Sequence, residues 1–96
     1  MRHCLIVDSS PIIRKVAASI LVGVGERAEE ASSEAQAIAH CRIEMPDLIL
    51  IDWKLKDGSA LALLDQLMAL TRLRKPHVVV LSTAHDPHIV EMALEA

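Results

Sequence analysis

Hydrophobic positions along this chain follow two alternating periods. His3-Cys4-Leu5-Ile6-Val7, Leu48-Ile49-Leu50-Ile51 and His77-Val78-Val79-Val80-Leu81-Ser82 are short apolar runs without polar alternation. Such runs suit strands buried on both faces, as in a parallel sheet covered by helices. Between the first two, Ile12, Ile13, Val16, Ala17, Ile20, Leu21 and Val24 recur at helical spacing, with Arg14 and Lys15 set between them on the outer side. Ser9-Ser10-Pro11 gives that helix a hydroxyl N-cap and a Pro in its first turn, and Gly23 and Gly25 stop it. A Ser-x-x-Gln capping box at Ser33 and Gln36 opens a second helix, which carries Ala37, Ile38, Cys41 and Met45 inward and ends at Pro46. The turn at Asp57-Gly58-Ser59 leads into a third, with Leu61, Leu64, Leu67 and Met68 as its expected buried face. A fourth helix is expected to begin near Asp86-Pro87 and run to the last residue.

The stretch from Glu26 to Ala31 is expected as the second strand although Glu-Arg-Ala-Glu-Glu-Ala has poor β propensity. Its polarity assigns it to a sheet edge, where charge discourages unwanted pairing. Strands and helices then alternate four times, which predicts an α/β domain with a parallel sheet and right-handed crossovers. Repeats, linkers and low-complexity tracts are absent.

Composition narrows the function. Ninety-six residues, 52% of them hydrophobic, make one domain with a modest core. A net charge of −3 without a basic cluster argues against direct nucleic-acid binding. No apolar run approaches a membrane span, and Asp8, Arg14 and Lys15 interrupt any signal-peptide pattern in residues 1–20, so a cytoplasmic protein is expected. Cys4 and Cys41 have no metal-ligand or redox spacing and read as small buried hydrophobes. His3, His40 and His77 are scattered, and the pair in His85-Asp86-Pro87-His88 is better explained by a helix start than by a metal.

Three of the apolar strands end on polar groups, at Asp8-Ser9, Asp52 and Ser82-Thr83. In open α/β sheets, ligands bind beyond the carboxyl ends of the strands. In a strand order 2-1-3-4 these three ends are neighbours. Clustered carboxylates favour a hard divalent cation such as Mg²⁺, and a metal, an aspartate and a hydroxyl suit phosphoryl chemistry. An aspartate-nucleophile phosphatase would want Asp-x-Asp after the first strand, where Asp8-Ser9-Ser10 stands. Dinucleotide binding fares no better, because Gly23-x-Gly25 follows a helix and lacks the third glycine.

Leu-Ile-Val-Asp8-Ser9-Ser10-Pro11-Ile-Ile-Arg14, Asp47 through Asp52 followed by Trp53-Lys54-Leu55-Lys56-Asp57-Gly58, and Val-Val-Val-Leu-Ser82-Thr83-Ala84 resemble the receiver domain of bacterial response regulators, collinearly over the whole chain. The resemblance implies a flavodoxin-like, doubly wound parallel sheet in the order 2-1-3-4. It also implies that residues 1–96 are a receiver domain incomplete at its C-terminus, without the family's fifth strand and fifth helix. By the same resemblance Asp52 is the phosphoacceptor for a histidine kinase or phosphotransfer protein, and the chain is a signalling switch rather than an enzyme. Asp8, Asp52 and the backbone carbonyl of Lys54 match the Mg²⁺ ligand positions. Thr83 matches the hydroxyl that moves to the phosphoryl group, Ala84 the small residue beside it, and Lys54 and His85 variable positions that tune dephosphorylation. Output would pass to a downstream protein through the face of the strand and helix that follow Pro76.

Two departures stand out. Ser9 replaces the family's second acid, and no residue fills the role of the essential Lys on the fifth strand, since Arg72, Arg74 and Lys75 enter from the opposite end. Both favour an alternative reading, a receiver-like interaction module that needs no phosphate. The strand at Val78-Val79-Val80 would also have an uncovered outer edge, which predicts self-association through it.

Overall fold

The computed structural model describes residues 1–52, 54–55, 58–70, 75–81 and 89–93, with side chains described throughout except at 54 and 89–93. Its elements run β1 (His3–Val7), α1 (Pro11–Gly23), β2 (Arg27–Ala31), α2 (Glu34–Ile43), β3 (Leu48–Asp52), β4 (Lys54–Leu55), β5 (Gly58–Ser59), α3 (Ala60–Leu70), β6 (His77–Leu81) and β7 (Ile89–Ala93). The main sheet has the order β2-β1-β3-β6-β7. Its first four strands are parallel, with the polar β2 at one edge, so the α/β class and the order expected from the sequence hold. The strand expected fourth is β6, because Lys54–Leu55 and Gly58–Ser59 form a small antiparallel ladder of their own before α3.

Leu5, Val7, Ala31, Ile49, Ile51, Val78 and Val80 pack with Ala37, Ile38 and Cys41 of α2 and with Ala60, Leu63, Leu64 and Leu67 of α3. These strand residues alternate, so they share one face of the sheet. On the opposite face α1 packs over β1 and β2, which accounts for the burial of Cys4 and Ile6. Local signals explain the helix ends. Ser10 Oγ accepts from the Ile13 amide at 3.3 Å, and Ser33 Oγ accepts from the Gln36 amide at 3.2 Å. The reciprocal half of the capping box shifts by one residue, since Gln36 Oε1 accepts from the amide and hydroxyl of Ser32. Gly25 ends α1 at a φ of +87°, a left-handed conformation that favours glycine and lets the Glu26 amide return to the Leu21 carbonyl at 3.0 Å.

Four expectations need correction. The apolar side of α1 is exposed: Ile13, Val16 and Ile20 face away from the sheet, and none of the helix's residues is buried. Arg14 instead turns inward, because its guanidinium has polar partners at the end of β1 and on β2. The buried face of α3 is Ala60, Leu63, Leu64 and Leu67, while Leu61 and Met68 are exposed. Ser59 caps this helix, its Oγ accepting from the Ala62 amide at 3.2 Å.

The fourth correction concerns the C-terminal segment. Ile89–Ala93 is a strand antiparallel to β6, with Val80 opposite Val90 and Val78 opposite Met92. The unpaired edge of three consecutive valines is a stronger demand than the Asp-Pro helix signal, and β-branched Ile89 and Val90 answer it. The outer edge of β6 is therefore occupied, which removes the ground for self-association through that strand.

Candidate functional site

The carboxyl ends of β1 and β3 bring two acids together. Parallel pairing sets Cys4 beside Leu48 and Val7 beside Ile51, so the next step along each strand places Asp8 next to Asp52. Both are buried, at 3% and 8% exposure, and they are the buried carboxylates among the described residues. Burying an acid without compensation is costly; two of them side by side create a strong preference for a cation.

Asp8 is positioned from three directions. Its amide donates to the Ala31 carbonyl at 3.1 Å, tying the end of β1 to β2. The Ser10 amide donates to its Oδ1 at 2.8 Å, an Asx-type turn that aims the carboxylate over the sheet edge. Arg14 Nη1 donates to its backbone carbonyl at 2.7 Å, while Arg14 Nε donates to Glu30 Oε1 at 3.2 Å. The guanidinium thus holds the turn rather than pairing with the carboxylate. Ser9, half-buried, lies in the same turn.

Asp52 closes β3, with Leu81 of β6 as its neighbour in the register. Immediately beyond it the backbone of Lys54 enters the small β4·β5 ladder, pairing with Ser59. That ladder leads the chain away from the sheet edge and into α3. Two adjacent buried carboxylates fit the oxygen-ligand preference of Mg²⁺, which takes one or two carboxylates and keeps several waters.

The structure therefore brings together Asp8, Ser9 and Asp52, while the Lys54 backbone, two residues beyond Asp52 in the chain, is placed only by its pairing with Ser59. Thr83, Ala84 and His85 lie outside the described residues, as do Ser82 and the Lys54 side chain. Sequence reasoning missed Arg14, whose place in an apolar helical pattern suggests solvent. The available signal was the presence of acids at Asp8, just past β1, and at Glu30, near the end of the adjoining β2.

A second polar group stands at the opposite end of β1, where His3 lies between Glu29 and Glu44. His40 joins it, with Nδ1 3.0 Å from Glu29 Oε2. Histidines that look scattered in the sequence are here neighbours across β1, β2 and α2.

Comparisons with known proteins agree on the fold. The family model described as "Response regulator receiver domain" matches residues 4–96. The sensory transduction protein LytT of Enterococcus faecalis is 34% identical over 92 residues, a match spanning 93% of this chain and 36% of that protein. The chain thus spans about a third of the length of that curated relative. Among solved structures, the CheY-like receiver domain from Methylobacillus flagellatus superposes with a TM-score of 0.82 at 27% identity, covering 88% of this chain and 71% of that one. Chemotaxis response regulator CheY4 of Vibrio cholerae shares the fold alone, with a TM-score of 0.82 at 21% identity over 90% of this chain and 72% of its own. Paired acids at adjacent strand ends, the sheet order and the match over residues 4–96 lead to one conclusion: the chain belongs to the response regulator receiver domain family of two-component signalling.

Proposed function

We propose that this domain accepts a phosphoryl group on Asp52 from a histidine kinase or phosphotransfer protein, with Mg²⁺ held by Asp8, Asp52 and the Lys54 backbone carbonyl. The observation that carries the reading is the adjacency of two buried carboxylates at the ends of β1 and β3. In the transfer, a carboxylate oxygen of Asp52 bonds to phosphorus as the P–N bond to the donor imidazole breaks, and the released imidazole takes a proton from solvent. Bound Mg²⁺ would neutralise charge on the transferring oxygens. The protein's own part is positioning: β3 fixes Asp52, and the Asp8 turn, braced by Ser10 and Arg14, fixes the second carboxylate.

The product adds roughly 1.5 to 2 negative charges at pH 7. Thr83 donates to a phosphoryl oxygen with Ala84 leaving it room, and the segment after β6 moves with it, presenting an altered face to a downstream protein. In the same reading Lys54 and His85, which match variable positions of the family, set how long the phosphoryl group survives. Action in the cytoplasm belongs to the same reading; among the described residues no helix is long and apolar enough to cross a membrane.

The test is phosphorylation by acetyl phosphate with Mg²⁺, read by intact mass. One added phosphoryl group is expected on the unaltered chain and none on Asp52→Asn or in EDTA. Equal labelling of Asp52→Asn would sink the assignment. Ser9 at the family's second acidic position favours a second reading, an interaction module that works without phosphate. A chain that acetyl phosphate leaves unlabelled, and that binds its downstream protein equally tightly with and without acetyl phosphate, would establish that reading.

A further inference from the structure

His3 carries the first side chain of β1 and points into the layer between the sheet and the end of α2. Its side chain is 8% exposed, yet neither ring nitrogen has a hydrogen-bond partner of acceptable geometry among the described residues. Two carboxylates nonetheless crowd the ring: Glu29 Oε1 lies 2.8 Å from Nε2, and Glu44 Oε1 lies 3.6 Å from Nδ1. One ligand atom each from His3, Glu29 and Glu44 falls within 4.8 Å of the others. Glu29 and Glu44 thus flank the buried ring, each nearer a different nitrogen.

From these contacts we infer that His3, Glu29 and Glu44 form a site for a divalent transition-metal ion of the Zn²⁺ class, separate from the Asp8 and Asp52 pair. Chemistry selects the ion: imidazole suits Zn²⁺, whereas Mg²⁺ prefers oxygen ligands alone. Three protein ligands and a water complete a tetrahedron. The fold supplies each ligand from a different element. His3 begins β1, Glu29 lies on β2 in register with Leu5, and Glu44 caps the end of α2. His40 holds the other oxygen of Glu29, the type of outer contact that orients a ligating carboxylate. Asp8 is five residues along β1 from His3, or about 16 Å at the rise of a strand, so the two sites do not share ligands.

Arg27 is the competitor. Its guanidinium contacts Glu44 Oε1 at 2.5 Å and lies 3.9 Å from Glu29 Oε1. With its side chain 43% exposed it can swing into solvent when a dication takes its place. A purely structural ion-pair cluster and a metal site therefore respond oppositely to loss of Arg27. The former loses stability with no change in metal affinity, and the latter binds metal more tightly.

The probe is Co²⁺, titrated into the full chain and read by its visible absorption, with Zn²⁺ displacement as the competition arm. Expected is one tetrahedral Co²⁺ per chain, whose band Zn²⁺ abolishes, distinct from any weakly absorbing Co²⁺ held by the oxygens of Asp8 and Asp52. In Glu44→Gln, a variant at a half-exposed position that leaves the core intact, the dissociation constant should rise on the order of tenfold or more. His3→Gln should behave likewise, and Arg27→Gln should tighten binding. Asp52→Asn and the double variant His85→Asn/His88→Asn should leave the band unchanged. Loss of the band in either of those two, its persistence in Glu44→Gln, or unaltered affinity in Arg27→Gln would overturn the inference.

Discussion

Arg14 Nη1 sits 2.7 Å from the backbone carbonyl of Asp8, with the guanidinium also bound to Glu30. This one side chain fastens the turn that aims the carboxylate to both α1 and β2. It is only 15% exposed, so solvent cannot replace it. A hydrogen bond from a charged donor contributes about 1.5 to 3 kcal/mol. Arg14→Ala should destabilise the domain within that range in urea unfolding and weaken Mg²⁺ binding several-fold. Arg14→Lys should not restore the Mg²⁺ affinity, because a single ammonium cannot reach the Asp8 carbonyl and Glu30 with one planar fork. Full affinity in Arg14→Ala would show that the turn holds itself.

Ser9 offers a neutral oxygen where an acid would be a better ligand for a hard cation. Ser9→Asp should therefore tighten Mg²⁺ binding, measured by calorimetric titration. The cost should appear in the absence of the metal, as a lower midpoint of unfolding, because a third carboxylate joins two that are already buried. Raising Mg²⁺ should then recover the midpoint. Unchanged affinity would place residue 9 outside the coordination shell.

What the sequence exposes is what depends on neighbours in the chain. Helix α1 could be read from the spacing of Ile13, Val16 and Ile20 and from the Ser10 cap, and β1 and β3 from their apolar runs. Asp8 and Asp52 could be read as acids at strand ends, and the resemblance at those positions named the family. Which face of a helix is covered is another matter. The exposure of Ile20 at 63% and the inward turn of Arg14 are set by the layer opposite, which periodicity does not specify. Likewise His3, Glu29, His40 and Glu44 meet only once the β1·β2 register and the end of α2 are fixed. At residues 89–93, an edge seeking a partner outweighed a local Asp-Pro signal that had suggested a helix.

Cys41 gives the domain an alkaline limit. It faces the core from α2, and burial pushes its thiol from 9.0 up to about 11. The folded chain thus keeps a proton that the unfolded chain releases. Stability from this group is fully present below pH 9 and is lost as pH rises from about 9 to about 11, at about 1.4 kcal/mol per pH unit at most. Cys41→Ala should lower stability at neutral pH through its cavity but flatten the decline across that window. Urea midpoints at stepped pH check both, and a parallel decline in the variant would assign the loss to other groups. In the folded chain Cys41 should also react slowly with a thiol reagent at pH 8, where little of it is thiolate.

β7 covers the row of backbone groups that β6 would otherwise present to solvent, with Leu81 opposite Ile89 and His77 opposite Ala93. Unpaired N–H and C=O groups along a strand of valines are a template for another chain. Removing residues 89–96 should therefore have two linked effects. Amide hydrogens on the outer side of β6 should lose exchange protection, while those of β1, paired on both sides, keep theirs. The shortened chain should also sediment as larger species as its concentration rises, more steeply than the intact one. Replacing Val79 by Lys in the shortened chain, at a half-buried position of β6, should suppress that association by placing a charge on the exposed strand. If exchange and sedimentation are the same with and without residues 89–96, the β6 edge is covered by something other than β7.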